Sequence, residues 1–175
     1  MKKVKVCLVG AGRWGWQHAR VFSQHPDVTL CAVAGRKLEK TQVRADEFGI
    51  RAYTDISEML DREKPNFVSL ALPNLEHSDA TMQVIQANCP LLVEKPLVFE
   101  LSEADRLLAE AERRGLFFAI NFNHRYAKAI RLAREYISQG RLGEIIHATW
   151  RFGGEANVSP HPHANLIETQ CHGFD

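Results

Sequence analysis

Three glycines in the pattern Gly-x-Gly-x-x-Gly follow the apolar run 4–9 near the start of the chain, and no other feature restricts its fold as strongly. In a turn from strand to helix, the first glycine permits a tight bend, the second lets a diphosphate approach the backbone, and the third allows close packing of helix and strand. The helix N-terminus adds amide donors and a partial positive charge. The pattern therefore predicts a phosphate-binding loop for a dinucleotide, although a glycine-rich turn without a ligand would have the same residues. The residues predicted to contact the cofactor here are Gly10, Gly12, Arg13, Trp14 and Gly15.

Short apolar runs alternate with longer amphipathic stretches over residues 1–121. This alternation predicts an α/β fold, in which helices cover both faces of a parallel sheet. We expect a doubly wound Rossmann sheet of six strands in the order 3-2-1-4-5-6, with residues 1–121 forming a dinucleotide-binding domain. Ser102 and Asp105 resemble a capping box at the start of a helix. Five of the six strands are expected at 4–9, 28–34, 67–72, 91–93 and 116–121, which are the first, second, fourth, fifth and sixth in chain order, and the main helices at 13–25, 37–48, 75–87 and 102–114.

Composition excludes several classes of partner. The chain is 45% hydrophobic and 25% charged with a net charge of +1, so it lacks the basic excess of a nucleic-acid-binding protein. No apolar run is long enough for a membrane span, and the first one is too short for a signal peptide. The four cysteines form no CxxC pair, which is typical of a reducing compartment. We therefore predict a cytoplasmic protein that binds neither nucleic acid nor membranes.

The end of the second strand carries information about the type of dinucleotide. NAD-selective Rossmann domains place an acidic residue there, where it binds the 2′-hydroxyl of the adenosine ribose. In this chain Gly35 occupies the position and is followed by Arg36 and Lys37, two cations that suit a 2′-phosphate. We therefore predict that NADP is preferred to NAD and that Arg36 is the main ligand of the phosphate. The alternative is that Arg36 and Lys37 only solvate the start of a helix.

Five short motifs follow one another along the chain: Gly10–Gly15, Pro73–His77, Glu94–Pro96, Arg125–Tyr126 and Gly140–Ile145. In their order and spacing they resemble the Gfo/Idh/MocA oxidoreductase family. The most specific part is Glu-Lys-Pro after the fifth strand combined with Pro-Asn-x-x-His after the fourth. The resemblance covers nearly the whole chain and implies hydride transfer between a nicotinamide cofactor and a sugar, cyclitol or related polyol.

The resemblance also implies which residues surround the reacting groups. Lys95, at the exit of the fifth strand, would donate to the reacting oxygen and favour a developing alkoxide, although a solvated surface lysine is the alternative. The exits of the fourth and fifth strands lie at the edge of the sheet where doubly wound folds bind their ligands. Cofactor contacts are accordingly expected from Pro73, Asn74, His77, Glu94, Lys95 and Pro96.

Two further catalytic residues are implied by the resemblance near the end of the chain. Family members carry an aspartate and, four residues later, a histidine that donates or accepts the proton of the substrate hydroxyl. The matching positions here are Glu168 and His172, so the carboxylate is one methylene longer than usual. Together with His161 and His163 they could also form a metal site. Hydride transfer does not require a metal, and we predict none.

The second part of the chain is shorter than the resemblance implies. Beyond residue 121 the pattern changes to a helix at 125–139 and a strand at 144–152. We expect residues 122–175 to begin a truncated α+β domain for substrate binding and oligomerisation, the chain to be a fragment, and the full-length protein to be a homo-oligomer. Two alternatives to a dehydrogenase stay open: a non-catalytic dinucleotide-binding sensor or regulatory protein, and an NAD-dependent glycosidase of the same family.

Overall fold

The computed structural model describes residues 2–149 and contains a single parallel sheet of six strands. The strands lie in the order β3-β2-β1-β4-β5-β6, and every neighbouring pair is parallel. The predicted doubly wound Rossmann topology is thereby confirmed. The strands are β1 (Val4–Val9), β2 (Val28–Ala34), β3 (Arg51–Tyr53), β4 (Phe67–Leu70), β5 (Leu91–Glu94) and β6 (Phe118–Asn121).

Helices connect consecutive strands, as the parallel arrangement requires. Two short 3-10 turns, Asn74–Glu76 and Asn123–Tyr126, precede the fourth and sixth helices. The predicted helix boundaries agree with the structure to within a few residues, which is the usual uncertainty at helix ends. The helices are α1 (Arg13–Gln24), α2 (Leu38–Phe48), α3 (Ile56–Glu63), α4 (His77–Gln86), α5 (Leu101–Arg113) and α6 (Lys128–Ser138).

The central strand β1 is buried on both faces of the sheet. Cys7 and Val9 belong to the larger apolar cluster, whereas Leu8 between them belongs to the smaller one. Alternate side chains of a strand point to opposite faces, so an uninterrupted apolar run is what a strand covered by helices on both sides requires. The C-terminal end of β1, and with it the glycine loop, is thus held by the core of the domain.

Strand β3 has no apolar run that would locate it from the sequence, because it consists of only three residues, Arg51–Tyr53. Polar contacts tie it to α3 instead. The Tyr53 hydroxyl donates a hydrogen bond of 2.6 Å to Glu63, and the Arg51 guanidinium pairs with the same carboxylate. Burial raises the pKa of Glu63, but the bonds from Arg51 and Tyr53 outweigh it and leave that pKa below its ordinary value.

Two local predictions are wrong. Helix α5 begins at Leu101, and its N-cap is Glu100 with no side-chain cap hydrogen bond, so Ser102 and Asp105 form no capping box. Residues 144–149, where the start of a strand is predicted, contain no strand. In both places tertiary contacts, which a local pattern does not contain, decide where an element starts.

The chain divides into two compact units, Met1–Asn121 and Phe122–Asp175. The first contains the whole sheet. In the described part of the second, the exposed helix α6 follows the 3-10 turn Asn123–Tyr126 and has no buried residue. Among residues 2–149, no helix combines the length and the apolar composition that crossing a bilayer demands.

Candidate functional site

The glycine loop connects β1 to α1 at the C-terminal edge of the sheet. Strand β1 pairs with β2 on one side and with β4 on the other. The sheet therefore continues through β2 and β3 on one side of β1, and through β4, β5 and β6 on the other. This is the switch point at which doubly wound sheets bind their ligands. The candidate site is therefore formed by the segments that follow β1, β2, β4 and β5.

The three glycines of the loop have three different roles. Gly10 has φ of +116°, and a Cβ there would overlap the backbone carbonyl of Ala71. A Cβ at Gly15 would overlap the carbonyl of Gly10, whereas a Cβ at Gly12 would meet nothing within 4 Å. Gly10 and Gly15 are thus required by the packing of the protein itself. The absence of a side chain at Gly12 instead keeps open space beside the backbone.

The N-terminus of α1 suits an anionic ligand. Its N-cap is Gly12, which has no side chain to accept from the first-turn amides, and no acidic residue lies in that first turn. The amide groups and the positive end of the helix dipole therefore have no carboxylate partner in the first turn. A diphosphate fits these donors, and Gly12 leaves it room to approach.

A cleft beside this helix end extends between the segments that follow β2 and β4. It consists of two adjoining cavities of ≈ 250 and ≈ 280 Å³. A Cβ at Gly35 would lie 2.5 Å from Thr41 Oγ1 and 3.2 Å from the Ala11 Cβ, which explains why no acidic side chain is accommodated at the end of β2. Both cavities are lined by Gly35, Arg36, Leu72 and Glu76.

The charges of the cleft are only partly evident from the local sequence. Arg36 and Lys37 line it, and Lys40, in the first turn of α2, joins them. Glu76, which follows β4, forms an ion pair of 2.8 Å with Arg36. Glu76 lies 40 residues from Arg36 in the chain, so no local pattern indicates it. Lys40, by contrast, follows Arg36 by four residues at the start of a predicted helix, which is a local signal.

A buried polar network lies below the exit of β5. Glu94 Oε1 is 2.9 Å from His18 Nε2 and accepts a bond of 2.6 Å from the Asn121 side chain. The other ring nitrogen of His18 is 2.7 Å from the Ser69 hydroxyl, and the Lys95 amide donates to Glu94 Oε2 over 3.3 Å. Helix α1 is thereby joined to the Glu-Lys-Pro segment. Neither His18 nor Ser69 was expected at the site.

Glu94 and His77, two of the residues expected to contact the cofactor, have buried side chains. The Glu94 side chain is about nine-tenths buried in the polar network. His77 is fully buried, and its ring nitrogens lie 2.6 Å from the carbonyl oxygen of Pro96 and 2.9 Å from that of Leu72. The His77 imidazole has no exposed surface and holds the segments after β4 and β5 together, and its contact with the cofactor stays a prediction. Glu94 likewise contacts other groups of the protein from a buried position.

The protonation of Glu94 links this network to stability. Burial raises its pKa, but the bonds from His18 and Asn121 outweigh burial, so the pKa lies below the ordinary value of 4.5. A carboxyl with a depressed pKa contributes stability above its unfolded pKa and loses it as the pH falls through the folded value. We expect Glu94→Ala to lower the free energy of unfolding by about 2–3 kcal/mol at neutral pH.

Denaturant unfolding at several pH values tests this prediction. The difference between the wild type and Glu94→Ala should shrink once the pH falls below 4.5, the unfolded value for this carboxyl. Glu112→Ala is the control, because Glu112 lies on the exposed side of α5 and should cost less than about 0.5 kcal/mol. Equal effects of the two substitutions at neutral pH would contradict a stabilising role for the network.

The other predicted site residues are distributed along the same edge of the sheet. Trp14 is 53% exposed at the start of α1, and Arg13 beside it is exposed. Pro73 lines the second cavity, and Lys95 is half-buried after β5. Like Lys95, Asn74 and Pro96 are half-buried in the segments after β4 and β5.

The residues predicted near the end of the chain lie outside the described part. Within residues 2–149, no group of three or more histidine, cysteine or acidic side chains is arranged to hold a metal ion. The metal alternative rests on residues beyond that range, so it is not tested. The predicted residues concerned are His161, His163, Glu168 and His172.

Comparison with known proteins identifies the class. Residues 4–122 match the model of the Gfo/Idh/MocA family, described as an oxidoreductase family with an NAD-binding Rossmann fold. The chain belongs to this family, as the resemblance predicts. The family has an NAD-binding domain at the position where the structure places the glycine loop and the cleft.

Individual relatives share this domain and extend further. D-glucoside 3-dehydrogenase of Escherichia coli K12 is 31% identical over 150 residues, which is 85% of this chain and 43% of the relative. The crystal structure of GenD2 from gentamicin A biosynthesis, in complex with NAD, has 34% identity and a TM-score of 0.77 over 81% of this chain and 40% of its own. Myo-inositol 2-dehydrogenase of Lactobacillus plantarum has 26% identity and a TM-score of 0.77, with 83% and 44% covered. The chain thus spans less than half the length of each of these relatives.

Proposed function

We propose that the chain supplies the cofactor-binding part of an NAD(P)-dependent oxidoreductase that transfers a hydride to or from a sugar, cyclitol or related polyol. The observation that carries the proposal is the open backbone at Gly12 beside the uncapped N-terminus of α1, at the switch point of the sheet. The names of the relatives, a glucoside dehydrogenase and an inositol dehydrogenase, support the class of substrate.

Individual residues of the chain carry out the steps that accompany hydride transfer. The nicotinamide ring, when bound, supplies or takes up the hydride. Lys95 donates a hydrogen bond to the reacting oxygen and stabilises negative charge that develops on it. His172 transfers the hydroxyl proton, since an imidazole titrates near neutral pH. Glu168 orients the substrate together with His172.

NADP rather than NAD is the cofactor that the cationic side of the cleft favours. Arg36, Lys37 and Lys40 all line the second cavity, and a guanidinium binds phosphate oxygens in pairs. We expect Arg36→Ala to weaken NADP binding about tenfold and NAD binding by less than about twofold. Titration of the full chain with each dinucleotide, followed by calorimetry, gives both dissociation constants.

A matched arginine controls for the loss of a surface charge. Arg113 is 65% exposed near the end of α5 and pairs with Glu110. Arg113→Ala should therefore leave both dissociation constants unchanged. If Arg36→Ala weakens NAD and NADP equally, or if the wild type binds NAD as tightly as NADP, the preference for the 2′-phosphate is disproved.

The remaining expectations concern the setting of the enzyme. We retain the predictions that residues 122–175 begin a substrate domain, that the full-length protein is a homo-oligomer, and that it acts in the cytoplasm without nucleic acid or membrane partners. Sedimentation of the full-length protein measures its oligomeric state directly.

A further inference from the structure

The ion pair between Arg36 and Glu76 bridges the cleft. Arg36 follows β2 and Glu76 follows β4, and their closest atoms, Nη1 and Oε1, are 2.8 Å apart. Glu76 is the more protected partner, with 28% of its side chain exposed against 73% for Arg36. Both residues line both cavities, so the pair lies within the space available to a ligand.

The pair affects the two dinucleotides differently. A 2′-phosphate would compete with Glu76 for the guanidinium of Arg36, whose Nη1 is now paired with that carboxylate, and a phosphate near the carboxylate would experience like-charge repulsion. The ribose hydroxyl of NAD carries no charge, so it needs neither to break the pair nor to overcome the repulsion. Glu76 therefore opposes only one of the two ligands.

We propose that Glu76 is a specificity-determining residue that limits the preference for NADP created by Arg36, by competing with the 2′-phosphate for the guanidinium. The inference rests on the proposed function, because it presupposes that the cleft binds the adenosine end of a dinucleotide. The choice between NAD and NADP is otherwise assigned to residues at the end of β2. The inference adds to them a carboxylate from the segment that follows β4.

Asp79 provides a matched comparison within the same cleft. It is exposed in the first turn of α4 and lines only the first cavity, whereas Glu76 lines both. The ion pair with Arg36 belongs to Glu76 and not to Asp79. Neutralising either residue removes one negative charge from the cleft, but only the change at Glu76 releases the guanidinium.

The test measures dissociation constants of NAD and NADP for the wild type, Glu76→Gln and Asp79→Asn in the full chain. Glu76→Gln should raise the selectivity for NADP about fivefold, which corresponds to the upper range for an exposed ion pair. Asp79→Asn should change it by less than about twofold. In an Arg36→Ala background the effect of Glu76→Gln should be smaller than in the wild type, because no guanidinium is left to release and only the like-charge repulsion remains.

The outcomes separate this inference from the proposed function. If the wild type binds both dinucleotides and Glu76→Gln leaves their ratio unchanged, the role of Glu76 is disproved while dinucleotide binding stands. An equal shift in Asp79→Asn would also disprove it, since general charge would then be the cause. If the folded wild type binds neither dinucleotide, the proposed function fails, and the inference fails with it.

Discussion

Gly12→Ala is expected to leave the chain folded and to weaken dinucleotide binding about ten- to a hundredfold. A methyl group at this position would meet no protein atom within 4 Å, so the native packing does not oppose it. Gly12 lines the second cavity, however, and caps α1. The added methyl would therefore occupy the space through which a diphosphate approaches the helix amides.

Gly15→Ala is the matched comparison, because its methyl group would overlap the backbone carbonyl of Gly10. The backbone of the loop must move to relieve this overlap, and we expect the free energy of unfolding to fall by about 2–4 kcal/mol. Denaturant unfolding combined with NADPH titration distinguishes the two substitutions. A stable Gly15→Ala variant, or a Gly12→Ala variant that retains full affinity, would contradict the roles assigned to the loop.

Lys95→Met is expected to lower kcat of the full-length enzyme about a hundred- to a thousandfold and to change cofactor affinity by less than about twofold. Methionine keeps an unbranched side chain only one atom shorter than that of lysine, but it cannot donate to the reacting oxygen or stabilise an alkoxide. The substrate for the assay would come from a screen of sugars and polyols with both dinucleotides, followed through the absorbance of the reduced nicotinamide.

Lys64→Met is the control for this experiment. Lys64 is exposed after α3 and pairs with Asp61, away from the C-terminal edge of the sheet, so its removal should leave kcat unchanged. If Lys95→Met retains the full kcat, Lys95 does not stabilise the reacting oxygen. A wild-type protein that binds the cofactor but oxidises or reduces no member of the panel would favour the non-catalytic sensor.

Much of the fold could be predicted because its signals are local. Strands Val4–Val9 and Val28–Ala34 agree with the prediction at both ends, since each is an apolar run bounded by turn residues. Gly49 ends α2 in the left-handed conformation, as its position after an amphipathic stretch indicates. Strand β3 lacks such a signal, because parallel pairing with β2 rather than its own residues makes it a strand.

The candidate site was predictable only where its residues lie together in the chain. The glycine loop is a motif of consecutive residues, and Arg36 lies just after the predicted second strand. The bond between His18 and Glu94 joins residues 76 positions apart, and the ion pair of Arg36 with Glu76 joins two different loops. Such contacts depend on the order of strands in the sheet. His77 was expected near the cofactor from the resemblance, whereas its ring lies between the carbonyl oxygens of Leu72 and Pro96, which follow two different strands.

Titration of the purified chain with NADH and NADPH tests dinucleotide binding at the glycine loop most directly. Trp14 lies within the loop and Trp16 directly follows it, so quenching of their fluorescence provides a signal besides that of the nicotinamide. We predict saturable binding with a Kd between about 1 µM and 1 mM, tighter for NADPH and weakened by Gly12→Ala. A folded chain that shows no saturable binding of either dinucleotide would contradict the assignment of this loop as a cofactor site.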